Sequence, residues 1–151
     1  MNREKTFAML RIGFGFVWAI DAWFKWQPAF QDGFVDQVSA MLSGQPGWIN
    51  DWIQMWVNLV SINPHFFALV VALAESAIAI ALIFGLFTRA ALIGGIVLSL
   101  VIWTVPEGFG GPYVAGATDI GAGIIYAFAL AALWLGESWK RYSVDSYIWH
   151  K

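Results

Sequence analysis

The chain has 151 residues, of which 60% are hydrophobic and only 12% charged, with a formal net charge of −2. Soluble domains carry about 25% charged residues, so a chain of this length with a mean hydropathy of +0.67 has more apolar surface than one aqueous core can hide. The balance excludes a nucleic-acid footprint, and the lack of cysteine excludes thiolate nucleophiles, iron–sulfur ligation and haem attached through C-x-x-C-H.

A helix needs about 20 apolar residues to cross a bilayer, and the hydropathy predicts four spans. The first covers residues 6–24, with Arg11 near its start, Asp21 near its end and Lys25 just beyond. Trp18, Trp23 and Trp26 cluster at that end as an aromatic belt would. The run is too long, and too charged at its end, to read as a cleavable signal.

Residues 26–64 are more mixed, and predict helical stretches near 30–42 and 49–61. In the second, Trp48, Trp52 and Trp56 recur at i, i+4 and i+8, which places three indoles on one face. It is too short and mixed to span. It is expected either in the plane of the interface or packed on the bundle, and the two are compatible.

Asn63-Pro64 marks a turn. The remaining spans are expected over residues 66–87, 90–105 and 118–135. Between the last two lies Trp103-Thr104-Val105-Pro106-Glu107-Gly108-Phe109-Gly110-Gly111-Pro112-Tyr113. Its glycines and prolines forbid a continuous helix and allow close backbone approach. The expected fold is therefore all-α: an integral-membrane four-helix bundle, one domain, with an interfacial helical segment between the first and second spans. With the N-terminus cytoplasmic, Arg3, Lys5, Arg11, Arg89, Lys140, Arg141 and Lys151 fall at the inner face and only Lys25 outside. The positive-inside rule thus favours cytoplasmic N- and C-termini in a cell membrane.

An ionised group at the centre of a membrane costs on the order of 2.5–3.5 kcal/mol on the mildest scales, so each intramembrane charge needs a reason. Asp21 and Lys25 have the i, i+4 spacing of a helical ion pair. Glu75, near the middle of its span, either fixes helix packing or handles a ligand or proton, with Arg11 approaching from one side and Asp21/Lys25 from the other. Thr118 or Asp119 can cap the fourth helix, and Glu107 is either solvated in its turn or part of a site. His65 and His150 fall at opposite ends, so no haem or metal pair is recognised. On this topology Asp21, Lys25, Glu107 and Asp119 share the outer end above Glu75, flanked by Trp103 and Tyr113. Apolar walls with a few convergent polar groups are the usual form of a small-molecule site. A quinone head group would suit it, as a diffusible co-substrate needing flat apolar surface, a donor and a carboxylate.

Three stretches resemble the DoxX/DoxD family of small helical membrane proteins: Leu10-Arg11-Ile12-Gly13-Phe14-Gly15 followed by Lys25; Glu75 followed by Gly85-Leu86-Phe87-Thr88-Arg89; and Trp103 to Tyr113 followed by Gly116-Ala117-Thr118-Asp119-Ile120-Gly121 and Ile125-Tyr126. The last is similar to DoxD, the membrane-embedded part of thiosulfate:quinone oxidoreductase. The resemblance implies a membrane subunit of a quinone-linked oxidoreductase acting on thiosulfate or a related sulfur compound, with a second redox subunit. Glu75, Asp119 and Glu107 would be catalytic, and Lys25, Asp21, Arg11, Trp103 and Tyr113 would hold the quinone or its donor. The reading from a different class is a non-catalytic membrane scaffold or small transporter using its buried carboxylates. Gly94-Gly95 and the small residues of 116–123 allow tight packing within or between chains, which leaves a homo-oligomer open.

Overall fold

The computed structural model describes residues 3–112 and 119–148, and every regular element among them is helical. In chain order these are α1 (Arg3–Lys25), α2 (Pro28–Asp32), α3 (Phe34–Ser39), α4 (Gly47–Val60), α5 (Pro64–Phe84), α6 (Thr88–Thr104), α7 (Ala122–Leu135) and α8 (Val144–Ile148). Single 3₁₀ turns lie at Gly108–Gly110 and Ser138–Lys140. The all-α expectation holds. Of the four long apolar helices, α1 and α5 have the length and hydropathy to cross a membrane, while α6 and α7 are apolar but shorter. At 1.5 Å per residue α7 is about 21 Å long, less than the roughly 30 Å of a hydrocarbon core.

The helix ends follow local chemistry that hydropathy does not register. Pro64 opens α5, and Asn63 Oδ1 accepts the Phe66 N–H at 3.2 Å, so the first turn is capped and needs no donor from the proline. Gly85, at φ +68°, stops α5 in the left-handed turn that glycine adopts at least cost. The helix therefore ends three residues before the expected Phe87. Asp145, in the C-terminal tail, accepts the Phe87 and Thr88 N–H groups at 2.9 and 2.7 Å and so caps α6 from 57 residues away. The stretch expected as one helix near 30–42 is two, broken at Gly33.

α1 packs along α5, α5 along α6 and α6 along α7, and α7 touches α1. Trp18, Ile78, Ala79, Leu82, Leu92, Leu130 and Leu133 form the core they share. A second cluster, Phe34, Val38, Val60, Ala68 and Val105, seats α3 and α4 against α5 and the end of α6. The outward faces of the long helices are apolar too: Phe16, Ile20, Leu73, Ile80, Ile93, Val97, Ile125 and Phe128 are all exposed. Helices apolar on every side belong in a large core or in lipid. Trp18, expected in the aromatic belt, is 2% exposed and belongs to the core, whereas Trp23 and Trp26 face outward.

Gly15 sets the spacing between α1 and α5. A Cβ there would lie 2.8 Å from Ile83 Cγ1 and 2.9 Å from its backbone N, whereas a Cβ at Gly13 would meet nothing within 4 Å. Gly15→Ala is expected to destabilise the protein by about 1–3 kcal/mol, the usual cost of overpacking. Gly13→Ala should be neutral or stabilising by up to about 1 kcal/mol through helix propensity. Thermal unfolding of the two variants in one detergent checks the contrast.

The end of the molecule that carries the N-terminus is basic and tied together. Arg11, fully buried, donates to Leu82 O at 2.9 Å, Ser138 O at 2.8 Å and Tyr142 O at 2.5 Å. Arg141 pairs with Glu4 at 2.9 Å, and Arg89 lies 4.7 Å from the Trp139 ring. At the opposite end Lys25 is the last residue of α1.

Candidate functional site

Glu75 projects from the middle of α5 with 2% of its side chain exposed, and its Oε2 lies 3.5 Å from Lys25 Nζ. Lys25 ends α1, where its ammonium also lies 5.3 Å from the Phe30 ring and its carbonyl accepts from Gln31 Nε2 at 2.6 Å. The side chain is thus steered between α2 and the bundle. The expected Asp21–Lys25 pair does not form. Lys25 turns to Glu75, the more deeply buried acid, and Asp21 lines the same cavity as Tyr126 of α7. A buried carboxylate gains more from a cation than a half-exposed one does.

Glu107 is neither free in its turn nor confined to a ligand site. Its Oε1 accepts the Ala122 and Gly123 N–H groups at 3.2 Å, and Oε2 accepts Gly123 N–H at 3.0 Å. It caps α7 from 15 residues away, a carboxylate on the positive end of a helix dipole. That role had been expected of Thr118 or Asp119. Thr118 lies outside the described residues, and Asp119 is exposed and, among the described residues, accepts the Gly121 N–H at 3.2 Å. Gly121, at φ +93°, makes room for the cap: a Cβ there would sit 2.3 Å from Glu107 Oε2. Glu107→Ala is expected to cost about 1–2 kcal/mol, the upper range for loss of a helix cap. Hydrogen exchange should report the loss as fraying of residues 122–125 ahead of the rest of α7.

Two cavities meet at these charges. The larger, about 310 Å³, lies between the α2–α4 segment and the α5–α6 pair, walled by Phe30, Phe34, Val38, Trp56, Val60, Phe67, Val71 and Val101, with Lys25, Glu75 and Glu107 on one side. The smaller, about 170 Å³, lies between α1, α5, α6 and α7, and its mixed lining carries more polar groups than the larger one's: Trp18, Asp21, Lys25, Glu75, Ser99, Glu107 and Tyr126, with Ile102, Ala122 and Gly123 between them. Lys25, Glu75, Ile102 and Glu107 line both.

The structure thus brings together Lys25, Glu75, Glu107 and Asp21. It leaves out Arg11, which is 14 residues back along α1, or about 21 Å, and is bound to backbone carbonyls. Asp119 and Trp103 line neither cavity. Trp103 Nε1 donates to Ile120 O at 2.9 Å and its ring meets Phe109 edge-on at 5.3 Å, so it fixes the loop before α7. Tyr113 lies outside the described residues. Sequence reasoning missed Ser99, Tyr126, Trp18 and the aromatic wall of Phe34 and Trp56. Ser99 carried a usable signal, as a lone hydroxyl in the run Ile96-Val97-Leu98-Ser99-Leu100-Val101.

Long helices with apolar outer faces around a buried ion pair define a helical membrane protein. Residues 6–107 match the sequence model of the DoxX family, and the chain belongs to that family, whose members are generally membrane proteins. Neither the curated proteins nor the solved structures give a match. The family match takes in Lys25, Glu75 and Glu107 and ends there. The stretch from Gly108 to Tyr126, on which much of the DoxD likeness rests, lies beyond it.

Proposed function

We propose that the protein is the membrane subunit of a quinone-linked oxidoreductase, and that the larger cavity receives the quinone head group. The observation that carries this reading is the Lys25–Glu75 pair on the wall of an otherwise apolar, aromatic-lined cavity. Flat apolar walls suit the quinone ring, the ammonium can donate to a quinone oxygen, and the carboxylate can take up a proton and pass it on to the reduced quinone. Reduction of the quinone takes two electrons and two protons. With thiosulfate as donor, two anions give up one electron each and join through a new S–S bond to tetrathionate. In this reading the electrons arrive from a donor-binding partner subunit.

In this reading α1, α5, α6 and α7 cross the cell membrane as a four-helix bundle, with the basic end and both termini cytoplasmic. α4 supports an interfacial position for the intervening segment, because it has three distinct faces. Ile49, Ile53 and Val60 are buried on the protein, Trp48, Trp52, Met55 and Leu59 are exposed and apolar, and Asp51, Gln54 and Asn58 are exposed and polar. That is the pattern of a helix held between protein, lipid and water.

A scaffold or transporter is the second reading, favoured by the structural employment of Arg11 and Glu107. One assay separates the two. The purified protein is titrated with a quinone analogue and then supplied with thiosulfate, with and without the native membrane extract as a source of the partner. Saturable binding and thiosulfate-dependent reduction, at least about 30-fold weaker in Glu75→Gln (about 2 kcal/mol), are expected. Absence of binding, or reduction that survives Glu75→Gln, contradicts the proposal.

A further inference from the structure

The smaller cavity belongs to no step described so far. It lies inside the four long helices, and three of its lining residues carry buried polar atoms without a hydrogen-bond partner in the protein: Trp18 Nε1, Ser99 Oγ and Glu75 Oε2. Trp18, Ser99 and Glu75 are 2%, 1% and 2% exposed. Buried polar groups are satisfied in nearly all proteins, by water if not by protein, so Trp18 Nε1 and Ser99 Oγ, with a Glu75 Oε2 held only by its ion pair to Lys25, call for a polar occupant of this cavity. The set offers donors (Trp18, Ser99, Lys25, Tyr126) and acceptors (Asp21, Glu75, Glu107) in mixture, which matches a molecule that both donates and accepts. Three carboxylates against one ammonium make the chamber unfavourable for an anion such as thiosulfate. At about 30 Å³ per water, the 170 Å³ holds on the order of five waters.

We infer that this cavity is a water-filled proton chamber that connects the outer end of the bundle, at Glu107 and the start of α7, to Glu75, with Ser99 and Trp18 holding the water chain. Glu75 lines both cavities, so a proton entering through the chamber leaves on the side where the larger cavity presents its ligand. The groups facing Glu75 along the route are Lys25 and Asp21 of α1, Glu107 before α7, and Tyr126 of α7. The inference rests on the quinone reading only for the destination of the proton; the hydration of the chamber stands apart from it.

Hydroxyl-radical labelling of the full chain in lipid vesicles reads the hydration directly, because buried water generates the radical beside the side chain it wets. Trp18 is expected to be labelled within about threefold of the exposed Trp23, despite its burial, and Ser99→Val to lower Trp18 labelling at least fivefold. Wild-type Trp18 that stays unlabelled overturns the inference. Proton uptake coupled to quinone reduction is the second readout. Ser99→Val is expected to slow it at least tenfold while the quinone analogue binds within twofold of wild type. An unchanged rate with a wet chamber overturns the proton route. If the wild type binds no quinone, the functional proposal fails by itself, and labelling still decides whether water reaches Glu75. Ser99→Ala, which removes the hydroxyl without adding volume, replaces the valine variant if that fails to fold, with the same expected slowing.

Discussion

Lys25→Met is expected to destabilise the protein by about 3–5 kcal/mol, the usual cost of leaving one member of a buried ion pair alone. Glu75 has 2% of its side chain exposed and Lys25 22%, so almost all of the penalty falls on the carboxylate, which stays buried and loses its cation. The double variant Lys25→Met/Glu75→Leu should recover that loss and lie within about 1–2 kcal/mol of wild type, or above it, because an apolar pair of similar volume avoids the desolvation cost altogether. The wall of the larger cavity would then be wholly apolar, and binding of the quinone analogue should fall by at least about 30-fold (2 kcal/mol). Unfolding in mixed micelles, with the two single variants and the double in one cycle, gives the coupling energy. A pair that is worth little to folding yet decisive for the ligand is a pair kept for function.

Arg11 carries the second large effect, and it is structural. Its guanidinium joins the last turn of α5, the 3₁₀ turn at Ser138–Lys140 and the tail at Tyr142 through three carbonyls. Arg11→Leu should cost about 3–5 kcal/mol, since hydrogen bonds to a charged group contribute about 1.5–3 kcal/mol each and the contacts to Leu82 O and Ser138 O are buried, that to Tyr142 O partly so. Arg11→Lys should recover less than half of this, because one ammonium cannot reproduce the planar fork. The loss should be directional: limited proteolysis is expected to cut the tail after Leu135 well before it cuts α1 or α5. Quinone-analogue binding by whatever fraction stays folded should be unchanged.

The sequence made some of this legible and not the rest, for identifiable reasons. Glu75 stood out because a carboxylate inside an apolar run always needs an explanation. Lys25 stood out equally, but spacing alone assigned it to Asp21, since the i, i+4 rule sees only one helix and the competing acid lies 50 positions away on another. Arg11 looked like a partner for Glu75 by hydropathy depth. The carbonyls it binds are the unpaired ends of α5 and of the tail, which acquire positions only when the chain has folded back. The cap of α7 was hidden in the same way: Thr118-Asp119 looks like a local cap, but the helix begins at Ala122 and takes its carboxylate from Glu107 across the loop. The aromatic wall of the larger cavity comes from α2–α4, a stretch with no single period, and burial there is decided by how three short helices lie on α5 and α6.

The most direct test of the account is photolabelling with an azidoquinone in lipid vesicles, followed by peptide mapping. The label should fall on residues 30–38 and 56–71 and on the stretch 98–106, which wall the larger cavity, compete with unmodified quinone, and fade in Lys25→Met/Glu75→Leu. Labelling confined to the outward faces of α1, α5 and α7, or labelling that excess quinone does not displace, would contradict it.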